Sequence, residues 1–316
     1  MRNARGPWRS RGVALLGALL VVALATLMLA MLLDRAEGEL ARTRNLMRAA
    51  QGDQYARGLE AWAIDTLRRD AAEGAGGIGS DSRDEPWAQP LPPTPVPGGS
   101  VRGAMHDLNG CLDLNALVRN GAEVPQQVER LRRLLQALKR NPELADAIVD
   151  WIDPDISPLT RGAEDQIYLL ATPSYRAANR AFAHVSELRR VRGVDRDTYA
   201  ALAPHVCALP GPSVLNVNTA TVPVLMSLSP AITQSVAERL SRDGHAHYKN
   251  VGEFKEELTR QNVLFKPDEL FGLDVYSEYF VTEAELQLDG IPFAYSSLIQ
   301  RSRGEYAVLA RLRGAW

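Results

Sequence analysis

Five carboxylates, Asp150, Asp153, Asp155, Glu164 and Asp165, fall within sixteen residues, and Pro154, Pro158 and Gly162 force the backbone between them into a loop. Carboxylates this crowded repel one another. A hard cation such as Ca²⁺, which takes six to eight oxygen ligands, removes that repulsion. The spacing is not that of an EF-hand, so by itself it leaves open a solvated acidic loop whose Asp residues cap helices. His245-Ala246-His247 offers two imidazoles in a polar loop, but the sequence places no third ligand beside them, and a surface loop is the better reading. Gly-x-Ser-x-Gly, His-Glu-x-x-His, P-loop and dinucleotide glycine patterns are all missing. The acidic loop has no histidine or lysine close in sequence to share proton transfer. The chain therefore reads as a structural protein and not as an enzyme.

The elements that carry these residues begin with an apolar run. Val13 to Leu33 is uncharged for twenty-one residues and follows a leader with Arg2, Arg5, Arg9 and Arg11 that ends at Gly12. That length matches one helical bilayer crossing, and the arginines predict a cytoplasmic leader with everything after Leu33 exported. No proline occurs from Asp34 to Ala72, and Leu40, Met47, Ala50, Leu59, Trp62 and Leu67 share a helical face, so one helix is predicted over 13–72. Residues 73–100 hold six Gly and six Pro and read as a linker or spacer.

Beyond the linker, 101–111 and 276–316 read as strands, with turns at Asn109-Gly110 and Asp289-Gly290. Between them 112–275 is predominantly helical, with apolar spacing over Pro125–Leu138 and a further helix opening at Pro142. It also contains two helix, hairpin, helix patterns, with hairpins at Arg192–Asp195 and Ser227–Pro230. Such pairs resemble units that grip DNA phosphates, which makes a membrane-anchored periplasmic DNA-binding protein the rival function. The second hairpin lacks glycine and carries a proline. The formal charge of −2 becomes about −6 once the leader's four arginines are removed, so no basic footprint points to nucleic acid. The 32 Arg against four Lys reflect codon composition more than a surface. Cys111 and Cys207 favour one disulfide in an exported chain, with two unpaired buried thiols as the alternative.

Arg11-Gly12-Val13-Ala14-Leu15-Leu16, followed by Leu20-Val21-Val22-Ala23-Leu24-Ala25-Thr26, resembles the type IV prepilin pattern, and within it type II secretion system protein K, the large minor pseudopilins. Leu114-Asn115-Ala116-Leu117 and Trp151-Ile152-Asp153-x-Asp155, with Gly162-Ala163-Glu164-Asp165 and Tyr168, are similar to segments of the same family. The resemblance implies an α+β fold: a long N-terminal helix packed on an antiparallel sheet, as in pilins, with a large inserted all-α domain. It implies removal of 1–12 by the prepilin peptidase between Gly12 and Val13, methylation of the new N-terminus, and Ca²⁺ at the acidic loop. It also implies assembly with other minor pseudopilins, the I and J types and possibly H, from a single-pass inner-membrane anchor with a periplasmic head. Ordinary pilins carry a glutamate at mature position five, where this chain has Gly17, and the resemblance then implies a place at the filament tip. A minor pilin of a related filament is the nearby alternative.

Cleavage before Val13 is checked by mass spectrometry of the mature N-terminus. The expected product starts at Val13, and an intact leader in peptidase-positive cells counts against it.

Overall fold

A computed structural model describes residues 10–73, 79–302 and 304–314. It divides into two compact units, residues 1–55 and 56–316. The leader residues 1–9 lie outside the described residues, and Gly12 and Val13 fall in the first turns of helix α1, Ser10–Glu73. In the first unit α1 is exposed on every side from Val13 to Leu46, and it contains an apolar segment long enough to cross a membrane. Among the described residues, the hydrophobic cores lie in the second unit.

In the second unit the chain passes from α1 through β1 (Leu91–Val96) and β2 (Gly99–Asp107) to β3 (Leu112–Asp113) and a small ribbon, β4 (Val118–Arg119) with β5 (Ala122–Glu123). Helices α2 (Pro125–Ala137), α3 (Leu144–Ile152), α4 (Asp165–Tyr168) and α5 (Arg196–Leu202) follow. After β6 (Val206–Cys207) and β7 (Leu215–Asn216) come α6 (Val222–Leu228), α7 (Gln234–Ser241), α8 (Val251–Arg260) and β8 (Leu273–Asp274). The chain ends in a meander of β9 (Tyr279–Leu288), β10 (Ile291–Ser302) and β11 (Glu305–Arg313). The main sheet has the order β1-β2-β9-β10-β11 and is antiparallel throughout. The fold is the expected α+β class.

One face of this sheet is packed by the end of α1. Ala63 and Leu67 meet Trp87, Met105, Phe280 and Ile299 in a small core. Gly103 lets α1 come close to β2: a Cβ there would lie 2.5 Å from the Leu59 side chain, which would have to shift. The α1 face also buries Glu60, whose carboxylate takes both the Nε (2.7 Å) and an Nη (2.8 Å) of Arg311 and the hydroxyl of Ser297 (2.6 Å). Burial pushes the Glu60 carboxyl up, but the bonds from Arg311 and Ser297 and the Arg311 charge outweigh it and leave it below its ordinary value.

The stretch read as a spacer is largely built into the head. Asp81 and Ser82 are buried, the Trp87 ring stands edge-on to Phe280 at 5.2 Å, and Leu91–Val96 forms an edge strand on β2. Three prolines are compatible with that position because one row of an edge strand's amides has no ladder partner. The spacer expectation thus fails over 79–100, and 74–78 lie outside the described residues.

The Asn109-Gly110 turn is present, but the strand after it leaves the main sheet. β3 pairs in parallel with β6, and β7 pairs in parallel with β8. The Cys111–Cys207 disulfide joins the chain just before β3 to β6 across 96 residues of sequence. Closing a loop of that length stabilises by up to about 4–5 kcal/mol in the chain-entropy account. The helical patterns also differ in detail. The first hairpin is entered from a 3-10 turn, Val185–Arg190, and the helix expected from Asn216 starts at Val222. Asn216 bonds locally, its Oδ1 accepting the Asn218 amide at 2.9 Å, while its Nδ2 donates to the Asp81 carbonyl and the Ser277 hydroxyl; Asn218 pairs with the Tyr248 backbone.

Arg311→Ala leaves Glu60 buried with Ser297 as its remaining side-chain partner. A loss of about 2 kcal/mol is expected in urea unfolding at pH 7, discounted because Arg311 is half exposed. The Glu60 contribution is present above its unfolded pKa and is lost as pH falls through the lower folded value, so the gap between variant and parent should narrow in acid. Equal stability at pH 7 would contradict this account.

Candidate metal centre

The acidic loop starts where α3 ends. α3 packs its apolar residues into the main helical core, and Asp153, in extended conformation, closes its C-terminus. On the other side of the loop Glu164 precedes α4, whose Tyr168 ring meets Trp151 edge-on at 5.2 Å. That aromatic contact ties the two carboxylate-bearing segments together. One oxygen from each of Asp153, Asp155 and Glu164 lies within 4.8 Å of the others.

The remaining two sequence candidates do different work. Asp150 is fully buried behind the cluster, where its carboxylate accepts the Leu159 amide at 3.2 Å and also that of Ala163. Gly162 passes so close that a Cβ there would sit 1.7 Å from an Asp150 oxygen, so any larger residue would displace the Asp150 carboxylate. Asp165 turns away, accepting the Ala177 amide at 3.0 Å and facing Arg176 at 3.5 Å. The structure therefore gathers three of the five acids, uses Asp150 to hold the loop, and gives Asp165 to the following segment.

The cluster's electrostatics are unfavourable without a cation. Asp153 is 8% exposed and Glu164 is 2% exposed, yet one Asp153 oxygen and both Glu164 oxygens have no hydrogen-bond partner. Burial first, then the charges of Asp155, Asp150 and Glu123, push Asp153 up to about 6. Burial and the charges of Asp150, Asp153, Asp155 and Asp165 push Glu164 up to about 7. Orphaned buried carboxylate oxygens normally carry a penalty of about 1–3 kcal/mol each. An all-oxygen set of this kind fits a hard divalent cation.

A second acidic group, Asp70, Asp81 and Glu85, comes together from α1 and the segment after it, and sequence reasoning missed it. The separation of Asp70 from the Gly-rich stretch hid the proximity. Its oxygens already have partners: Asp81 bonds Arg301 and the Ser277 amide, and Glu85 takes the Trp87 indole N–H at 2.7 Å. The imidazoles of His245 and His247 face Asp84 and Ser82 respectively, which makes them clasps between the helical insertion and the segment after α1. The second hairpin spends its amides internally, with the Ala231 N–H on the Ser229 hydroxyl and the Ile232 N–H on the Ser229 carbonyl. That leaves it poorly suited to cradle a phosphate.

A single apolar N-terminal helix followed by a head of antiparallel sheet and inserted helices defines a membrane-anchored pilin-like protein. Family models described as type II secretion system protein K match residues 110–211 and 215–272. Curated relatives include the type II secretion system protein K of Pseudomonas aeruginosa, 36% identical over 96% of this chain and 92% of that one. That of Klebsiella pneumoniae is 30% identical over 98% of each. A solved structure of the GspK-GspI-GspJ complex from the enterotoxigenic Escherichia coli type 2 secretion system aligns with a TM-score of 0.75 and 26% identity, covering 87% of this chain and all of that one. The chain belongs to the type II secretion system protein K family and is a minor pseudopilin.

Between the unfolded and folded pKa values of Glu164 and Asp153 the metal-free head binds protons that the unfolded chain has released. Their contribution to stability is therefore greatest in acid and is lost as pH rises through about 6 and then 7. Thermal melts in chelator should fall from pH 5 to pH 8, and Asp153→Asn with Glu164→Gln should flatten part of that slope. An identical slope in the double variant would show that the cluster is not its source.

Proposed function

We propose that this chain forms the tip of a periplasmic pseudopilus, held to I- and J-type minor pseudopilins, in a machine that exports folded proteins across the outer membrane. The solved relative was found in a complex with GspI and GspJ, which supports these partners. In this reading the prepilin peptidase trims the leader before Val13, α1 anchors the chain in the inner membrane, and the head lies in the periplasm.

The observation that carries the tip position is Gly17. No atom outside its own helix turn lies within 4 Å of where its Cβ would be, so packing within the chain does not demand glycine there. A carboxylate at that position would compensate the N-terminal amine of a neighbouring subunit in an apolar filament core, where an unpaired charge is expensive. A subunit without it offers no such compensation and fits where nothing stacks above. The large inserted domain fits the same place, since a bulky head is harder to repeat along a tightly packed shaft.

Ca²⁺ is the cation we assign to Asp153, Asp155 and Glu164, with Asp150 holding the loop. Bound there, it supplies positive charge that keeps the three carboxylates ionised at close range. The protein's own part is to hold those oxygens together by the α3 terminus and the Trp151–Tyr168 contact.

Gold labelling of the head on overproduced pseudopili should mark one end, whereas label spaced along the shaft overturns the tip reading. Isothermal titration with Ca²⁺ should show binding that Asp153→Ala with Asp155→Ala abolishes. Because protons compete for Glu164 and Asp153, affinity should fall on the order of 100-fold from pH 7.5 to pH 5.5.

A further inference from the structure

Two guanidiniums are buried among the described residues, those of Arg301 and Arg130, each 3% exposed. Arg301 is answered by the Asp81 carboxylate. Arg130 has no ion-pair partner among the described residues. Its Nη2 donates to the Glu269 carbonyl at 2.9 Å and to the Phe271 carbonyl, and neither its Nε nor its Nη1 makes a hydrogen bond to the described residues. Burial, and after it the charge of Arg133, push the guanidinium down to about 10, so it is still charged at neutral pH. A charge held away from water without a counter-charge is costly, and protein interiors normally pair it.

We propose that Arg130 anchors a binding site for a carboxylate monoanion. The guanidinium borders an open cleft of about 370 Å³ that also meets Lys266, Pro125 and Gln126. Pro125 and Gln126 belong to the first turn of α2, a helix of thirteen residues that begins with no capping side chain. Its positive end therefore opens on the same space as the buried charge, and backbone N–H groups at a helix start donate readily to anions. Arg130 follows Gln126 by four residues and shares its helix face, so the helix terminus and the guanidinium act on the cleft from one element.

Charge decides the ligand class. Arg132 and Arg133 border the cleft as well, but Glu129 faces them at 3.7 and 3.4 Å, and Asp146 takes Arg132 at 2.8 Å. Of the other bordering acids, Glu269 accepts the Ser229 hydroxyl and the Lys266 amide, and Asp268 is exposed to solvent. With Asp146 counted, four cations and four acids surround the cleft, so no broad positive field draws a polyanion. The unanswered charge is local and single. A carboxylate answers it with oxygens that accept charge-assisted hydrogen bonds. A phosphate dianion would bring a second charge up to Glu129, Asp268 and Glu269, and a halide offers one point of contact in a cleft with room for an organic acid.

The test titrates the full chain, in non-ionic detergent, with sodium acetate, with an end-blocked peptide carrying one glutamate, with sodium phosphate and with sodium chloride, all at equal ionic strength. Melting temperature and the Nε–H resonance of Arg130 are followed. Acetate or the peptide should raise the melting temperature and move the resonance beyond any effect of chloride. Arg130→Gln should weaken carboxylate binding about tenfold or more. If that variant does not fold, the resonance in the parent protein decides. Tighter binding of the peptide than of acetate assigns the carboxylate to a protein partner, and equal binding assigns it to a free small acid; both support the site. Chloride or phosphate acting as strongly as acetate overturns the carboxylate class. Full affinity in Arg130→Gln overturns the anchor, and so does an unmoved resonance, which would leave the free nitrogens to water in the second cavity that Arg130 borders, of about 20 Å³.

Discussion

A buried ion pair fixes how the parts of the head meet. Arg301 on β10 reaches Asp81, which lies after α1 and before β1, and it also donates to the Ser277 carbonyl, just past the end of the insertion. The Asp81 carbonyl accepts from Asn216 inside the insertion, and its amide donates to the Val275 carbonyl at 2.7 Å. The guanidinium lies over the Tyr276 ring at 4.2 Å and the Phe280 ring at 5.0 Å. Replacing such a pair by apolar groups is often neutral, but breaking one partner leaves a buried charge, so the arrangement specifies one geometry more than it adds stability. Through its carboxylate, carbonyl and amide, Asp81 ties its own segment to β10, to the chain at Val275–Ser277 and to Asn216.

The same logic explains the rest of the junction. Asn109 accepts the amides of Glu278 and Tyr279 and donates to the Val214 carbonyl, while Asp113 accepts the Leu209 amide and the Ser213 hydroxyl. An all-α insertion joined to a sheet through short connections has many backbone groups that neither helix nor sheet can satisfy. Buried Asn and Asp side chains answer them, and the Cys111–Cys207 bond lies within this seam. The seam lets a large helical body interrupt a five-stranded sheet without loosening the strands on either side.

Against that fully satisfied junction the acidic loop stands out. Asp81 and Asp113 are as buried as Glu164, yet their oxygens have donors, while those of Glu164 have none. The contrast is between a seam whose buried carboxylates are bonded and a loop whose buried Glu164 oxygens are not. The cluster sits on the helical insertion, between α3 and α4.

The membrane helix, the α+β class, the C-terminal meander and the acids of the loop were legible in the sequence, because each rests on a local signal: an uncharged run, a period, a turn dipeptide, a cluster of like charges. The family segments around Gly12, Leu114 and Trp151 added the connection between them. What the sequence did not reveal is long-range. Leu91–Val96 becomes a strand because β2 accepts it and the edge tolerates proline, and no local rule contains β2. Asn216 donates its Nδ2 to the Asp81 carbonyl and the Ser277 hydroxyl, 135 and 61 residues away in the chain, which no local rule contains. Asp165 reads like its neighbours but is diverted by the Ala177 amide, and Glu60 and Arg311, 251 residues apart, carry no pattern that would pair them. Local charge and period fix which elements form and where acids collect; which oxygens find donors, and which are left without one, is decided when the tertiary contacts close.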